Sequence, residues 1–278
     1  ESYRPAERAK VQALNDLLVF GTVATTAMSS GAIHGLAGWT WINLACVPFL
    51  LLALATPINP SGFIGAFLAV LRVRGETAEE VAGFVRATRA RMVKPPAAPR
   101  ADLDWPSYAD RHRQQPWFVL AAVLLAENGV RVFMHGIAGS EDGYAATRPV
   151  LRHLGIEISP DLADAAARLD TGGIAYVDTE HLCPPLGALF ALRPVLGVRT
   201  VVNSLARSLN PAEAPAQMIG VFHPPYRVLQ RGVAELTGQA RAAIFTGGGG
   251  EAQRNPLKAC KVAFVRDGAG GDEEWPAL

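Results

Sequence analysis

Trp105, Tyr108, Arg111, His112 and Arg113 bring aromatic and basic side chains together within nine residues. Arginine neutralises phosphate, and an aromatic face stacks on an unpaired base whatever its identity. The segment WPSYADRHR thus has the residue types to bind single-stranded nucleic acid with little sequence preference, and Trp105 packed at a hinge with the arginines as a solvated face is the equal alternative. A second basic set, Arg72, Arg74, Arg86, Arg89, Arg91, Lys94 and Arg100, flanks a proline-rich stretch. Arg86 and Arg89 are three apart and share a helix face, while Arg91 points elsewhere. A solvated surface is the alternative explanation for both sets. With 26 Lys and Arg against 25 Asp and Glu, any polyanion must be held by such local clusters and not by overall charge.

Other chemistries find less support. Histidines 34, 112, 135, 153, 181 and 223 show no H-x-x-x-H or H-E-x-x-H spacing, so no metal site is expected. Cys46, Cys183 and Cys260 are odd in number and lack C-x-x-C spacing, which argues against a disulfide framework and points to a reducing compartment. Ser204 and Ser208 have no nucleophile-elbow context. Gly247 to Gly250 reads as a turn after a strand, with an anion cradle as the alternative.

The elements that must position these residues fall into distinct regions. No Asp, Glu, Lys or Arg occurs across the 55 residues from Leu17 to Leu71. Two stretches within that gap are each long enough to cross about 30 Å of hydrocarbon as a helix. They read as a membrane hairpin over residues 17–58. Arg4, Arg8 and Lys10 before it and Arg72 and Arg74 after it place both ends in the cytoplasm. Two buried helices of a soluble domain are the alternative. Next, FIGAFLAVLRVRG reads as a helix ending at Gly75, and TAEEVAGFVRATRARM as a second helix with Thr77 as N-cap and Glu80 completing a capping box. VKPPAAPRA is a hinge linker.

From about Asp102, strand and helix signals alternate. VRVFMHG, IAYVD, AQMIGVF, RAAIF and KVAFV read as strands. PWFVLAAVLLAENG, YAATRPVLRHLG, DLADAAARL, PPLGALFALRPVLG and RVLQRGVAELTG read as helices. The fold class is α/β, a mostly parallel sheet covered by helices. The domain organisation is a hydrophobic hairpin at 1–58, part of a small helical domain at 59–94, a hinge at 95–101 and an α/β domain at 102–278.

Four motifs, FLAVLRVRGETAEEVAGF, VFMHGIAGS, LRPVLGVRTVVNSLARSLNP and AQMIGVFHP, occur in the order in which the anthranilate phosphoribosyltransferase family, glycosyltransferase family 3, carries them. The resemblance covers roughly residues 61–265. Residues 1–56 resemble the last two transmembrane helices of a major-facilitator transporter, and the switch near residues 57–61 reads as a fusion, a fragment or an assembly artefact. The family resemblance implies a helical domain joined to an α/β domain, phosphoribosyl diphosphate bound between them, and a homodimer joined through the helical domain. The α/β domain would stop short of the family's C-terminal helices.

The same resemblance makes the departures visible. WPSYADRHR stands where the transferases carry a glycine-rich diphosphate loop. Met134-His135-Gly136-Ile137 keeps only the histidine and glycine of a K-H-G-N motif. Glu251 lacks the acidic neighbour that helps place Mg²⁺. Arg193 matches an arginine that contacts the aromatic substrate. These losses resemble the family's non-catalytic, YbiB-like branch, which is associated with nucleic-acid binding. The expectation is a protein without catalytic residues or cofactor, cytoplasmic in its α/β domain and attached to the inner membrane if the hairpin inserts. The alternatives are a phosphoribosyl or pentosyl transferase with an altered diphosphate site, using Mg²⁺ and placing donor and acceptor with His135, Gly136, Arg193, Asn203 and Glu251, or a membrane-tethered interaction protein.

Overall fold

In a computed structural model the chain divides into two compact units, residues 1–64 and 65–278. The structure describes residues 60–94, 100–109, 115–137 and 147–278. The hairpin expected at 17–58, the linker residues 95–99, and Arg111, His112 and Arg113 lie outside the described residues. Among the described residues no helix is long and apolar enough to cross a membrane.

The two helices read from sequence form where their caps predict. Helix α1 (Pro60–Arg74) closes at Gly75, whose φ of 84° suits a residue without Cβ. Helix α2 (Ala78–Arg89) opens on the expected capping box: the Thr77 hydroxyl accepts the Glu80 amide at 3.3 Å, and the Glu80 carboxylate accepts the Thr77 amide at 3.0 Å. Val81, Ala82 and Val85 are its buried face.

The α/β part is one seven-stranded sheet in the order β3-β2-β1-β4-β5-β6-β7. Its strands are β1 (Leu103–Ser107), β2 (Val132–Gly136), β3 (Ile174–Asp178), β4 (Ala216–Val221), β5 (Arg241–Thr246), β6 (Cys260–Arg266) and β7 (Ala269–Trp275). The first five run parallel, and β6 pairs antiparallel with both β5 and β7. Parallel neighbours need crossovers, supplied by α3 (Trp117–Glu127), α4 (Thr147–His153), α5 (Leu162–Gly172), α6 (Thr179–Leu182), α7 (Pro184–Phe190), α8 (Arg193–Leu196), α9 (Val201–Arg207) and α10 (Pro225–Leu236). Helices on both faces explain why the five residues of β2 and the five of β3 are all buried. Trp105, Met134 and Tyr176 pack with Phe118 and Val119 of α3, while Ile219, Ile244 and Ala263 pack with Ala234 of α10.

Four differences from the sequence reading have physical causes. LDWPS, which no strand reading covered, is the interior strand β1, although it contains a proline, a residue that interrupts a ladder. The Leu103 amide donates toward the β2 side, so residues 104 and 106 address β4, and the β1–β4 pairing ends at Asp104. Pro106 thus sits where no ladder donor is required. The single helix expected over PPLGALFALRPVLG is two, α7 and α8, because Pro194 near the start of α8 has no amide to carry the first helix through. Helix α9 was not recognised, although Thr200 caps it. Strand β7 was hidden by its glycines and charges. It is reached through a two-residue turn in which Asp267 and Gly268 both have positive φ, 50° and 83°, as a type I′ hairpin demands.

Candidate active site

The carboxyl ends of β1 and β4 are where an open α/β sheet forms its ligand crevice, because the chain leaves β1 toward β2 and leaves β4 toward β5. The side chains beyond β1 do not project into solvent there. Tyr108 is 1% exposed, stacked on Phe190 with ring centroids 5.6 Å apart and planes 11° apart. Its hydroxyl is 2.7 Å from His135 Nδ1 and 2.7 Å from Thr179 Oγ1. The Thr179 hydroxyl donates to the Gly136 carbonyl at 2.8 Å. A carbonyl only accepts, so the proton order runs from His135 Nδ1–H to Tyr108, to Thr179, to Gly136. On its other side His135 Nε2 lies 3.3 Å from Asp104 Oδ1, and Gln217 donates to Asp104 Oδ2 at 2.7 Å. His135 and Asp104 are both fully buried. Burial pushes the Tyr108 phenol far above its ordinary range. Gly136 is required here: a Cβ would stand 2.3 Å from the Ser107 carbonyl oxygen.

Glu251, also buried, reaches the same strand end. Its carboxylate accepts the Ala109 amide at 2.8 Å and the Ser107 hydroxyl at 3.1 Å, and Ser107 Oγ lies 2.6 Å from Thr147 Oγ1. The glycine run forms a 3₁₀ turn, Gly248–Gly250, that seats Glu251 against β4. A Cβ on Gly220 would be 2.1 Å from the Glu251 carbonyl carbon. Among the described residues no group of three or more His, Cys, Asp or Glu side chains could hold a metal ion, and Glu251 already serves two donors.

A pocket of about 80 Å³ lies beside the end of β4, lined among others by Arg72 of α1, Arg199, Asn203 and Arg207, with His223 and Tyr226 at the start of α10. Arg72 donates to the Tyr226 hydroxyl at 2.6 Å. Arg207, in contrast, spans the interior, donating to the carbonyls of Asn203 and Gly220 at 2.7 and 3.1 Å. Asn203 is 7% exposed, and its Nδ2 has no hydrogen-bond partner. It also lines an adjoining niche with Arg193 and Phe190. The structure thus joins two residues named from sequence, Arg193 and Asn203, and adds Arg199, His223 and Tyr226. The first two of these lie inside motifs already quoted, but only the fold shows that they meet. His135 and Gly136 stand inside the fold beneath Tyr108, and Glu251 stands at the end of β1.

Among the described residues, several expected to contact nucleic acid have other partners or are buried. Trp105, 3% exposed, and Tyr108 have no free face on which a base could stack. Arg74 pairs with Glu80. Arg86 donates to the Leu236 carbonyl at 2.6 Å, and Arg89 to the carbonyls of Leu209 and Ser208 at 2.7 and 3.0 Å. These guanidiniums fasten α2 to the last turn of α10 and the segment after α9.

Comparison with known proteins agrees with this fold. Residues 119–273 match the glycosyl transferase family a/b domain, and residues 62–92 match the helical bundle domain of the same family. Anthranilate phosphoribosyltransferase of Halobacterium salinarum is 35% identical over 67% of this chain and 55% of its own length. The enzyme of Methylocella silvestris is 31% identical over 77% of this chain and 60% of its own. The chain thus spans little more than half the length of these relatives. The crystal structure of the Thermus thermophilus enzyme superposes with a TM-score of 0.66 at 25% identity, covering 78% of this chain and 64% of the other. The Saccharomyces cerevisiae enzyme, solved in complex with PRPP and Mg, superposes with a TM-score of 0.61 at 17% identity, covering 77% of this chain and 60% of the other. These relatives overturn the expectation of a non-catalytic nucleic-acid-binding protein, and the expectation of no cofactor that accompanied it loses its basis. By its matched a/b and helical bundle domains, the chain belongs to the glycosyl transferase family.

Proposed function

We propose that this chain forms part of a phosphoribosyl or pentosyl transferase whose diphosphate site differs from that of its relatives. In such a transfer a nucleophilic atom of the acceptor bonds to the anomeric carbon of the sugar, the bond from that carbon to the diphosphate oxygen breaks, and the diphosphate leaves with the electron pair. The observation that carries the reading is Asn203 Nδ2, a buried donor without an acceptor, in a pocket lined from both family-matched segments. An unmet buried donor costs about 1–3 kcal/mol, and a bound acceptor group that takes its hydrogen bond recovers that cost. Arg199 and Arg72 line the same pocket and favour an acceptor with negative charge. Arg193 lines the adjoining niche together with Asn203. Tyr108, His135 and Asp104 act from within by holding the ends of β1 and β2 rigid.

The test is release of pyrophosphate from phosphoribosyl diphosphate by the full chain, with and without Mg²⁺, across a panel of aromatic amines, aromatic carboxylates and nucleobases. Asn203→Ala is expected to lower kcat/KM at least tenfold, corresponding to about 1.4 kcal/mol of lost transition-state binding. Absence of acceptor-dependent pyrophosphate release by the folded chain across that panel would refute the reading.

A further inference from the structure

We infer that the Glu251 carboxylate is a built-in occupant of an anion site at the end of β1, which a phosphate or diphosphate group must displace in order to bind. Three donor-bearing groups converge there: the Ala109 amide, the Ser107 hydroxyl, and Thr147 Oγ1 against Ser107 Oγ. Backbone amides and hydroxyls gathered at a strand end are the donor set that holds a phosphate oxygen. Here one oxygen of Glu251 takes both the Ala109 and the Ser107 contacts, at 2.8 and 3.1 Å, in a residue only 2% exposed. The crevice between β1 and β4 is the switch point of the sheet, and chain continuing from β5 has entered it.

The glycines allow that close entry. At Gly247 a Cβ would fall 1.6 Å from the Glu251 carbonyl oxygen, and at Gly220 2.1 Å from the Glu251 carbonyl carbon. Gly250, at φ 90°, lies against Ala109 and Phe222, with 3.4 and 3.2 Å from a built Cβ to theirs. The turn is therefore seated on β1 and β4 by close backbone approach, and its carboxylate is delivered to the Ala109 amide. An incoming anion competes with a tethered carboxylate for the same donors, so the free chain is held in a state that disfavours anion binding.

This inference deepens the transferase reading and rests on it only for the identity of the displacing group as a donor diphosphate. Its test is calorimetric titration of the full chain with inorganic pyrophosphate in metal-free buffer. Glu251→Gln keeps the size of the side chain and an acceptor for Ala109 but removes the competing charge. It is expected to bind pyrophosphate at least tenfold more tightly than the parent chain. Equal or weaker binding by a Glu251→Gln chain with parental circular dichroism would overturn the inference. If that variant does not fold, hydrogen exchange of the parent chain decides: saturating pyrophosphate should speed exchange of the 247–252 amides as Glu251 leaves, and unchanged or slower exchange would overturn it. Tighter binding by Glu251→Gln without phosphoribosyl transfer by either chain would sink the transferase reading and leave this one standing.

Discussion

The Tyr108 hydroxyl lies 2.7 Å from His135 Nδ1, joining the residue that follows β1 to the interior of β2. Because Thr179 spends its proton on the Gly136 carbonyl, His135 must supply the Nδ1 proton to Tyr108. Nitrogen-detected NMR of the imidazole should therefore show a protonated Nδ1. A free Nδ1 lone pair would contradict the proton order.

Tyr108→Phe keeps the stack on Phe190 and removes the hydroxyl, leaving a buried His135 donor unmet at a cost of about 1–3 kcal/mol. Tyr108→Ala also loses the ring, and the cost rises to about 3–5 kcal/mol. Urea unfolding midpoints of the three chains should fall in that order.

Stability should decline at high pH. Burial raises the phenols of Tyr108 and Tyr176 above their ordinary value, so the folded chain holds these protons after the unfolded chain has released them. The contribution is complete below the unfolded pKa of about 10 and is lost progressively above it. Urea midpoints that fall between pH 9 and pH 11, less steeply in Tyr108→Phe, are the expected result, whereas parallel profiles would remove Tyr108 as a cause.

Two glycine substitutions should have opposite signs. Gly220→Ala forces a methyl to within 2.1 Å of backbone at Glu251, which cannot yield as a side-chain tip would, and should cost about 2 kcal/mol or more. Gly83 is inside α2 with nothing within 4 Å of a built Cβ, so Gly83→Ala should stabilise by about 1 kcal/mol. Thermal melts of both variants read the difference directly.

At the start of α2, Thr77→Ala removes the hydroxyl that accepts the Glu80 amide and should cost about 1 kcal/mol. Adding Glu80→Ala should cost less than the sum of the two single changes, since both act on one capping box. Additive losses in a double-mutant cycle would show that the two halves act independently.

What the sequence by itself determined lies in short-range patterns. Thr77 and Glu80 are three apart, Gly75 and Gly238 follow helices, and IAYVD and RAAIF are apolar runs, so local backbone preference and capping chemistry were readable without the fold. Four ordered motifs likewise carried the family. The direction in which a side chain faces was not readable. Trp105 and Tyr108 have the composition of a stacking surface, but a strand paired on both sides and a ring stack with Phe190, 82 positions away, turn them inward. Arg72 meets Tyr226 and Asn203 comes beside Arg193 through the packing of helices, and Glu251 reaches Ala109 because β1 and β5 flank β4 in the sheet. Tertiary structure decided these because burial and hydrogen bonding depend on which neighbours exclude water, and those neighbours are set by packing across the whole sheet.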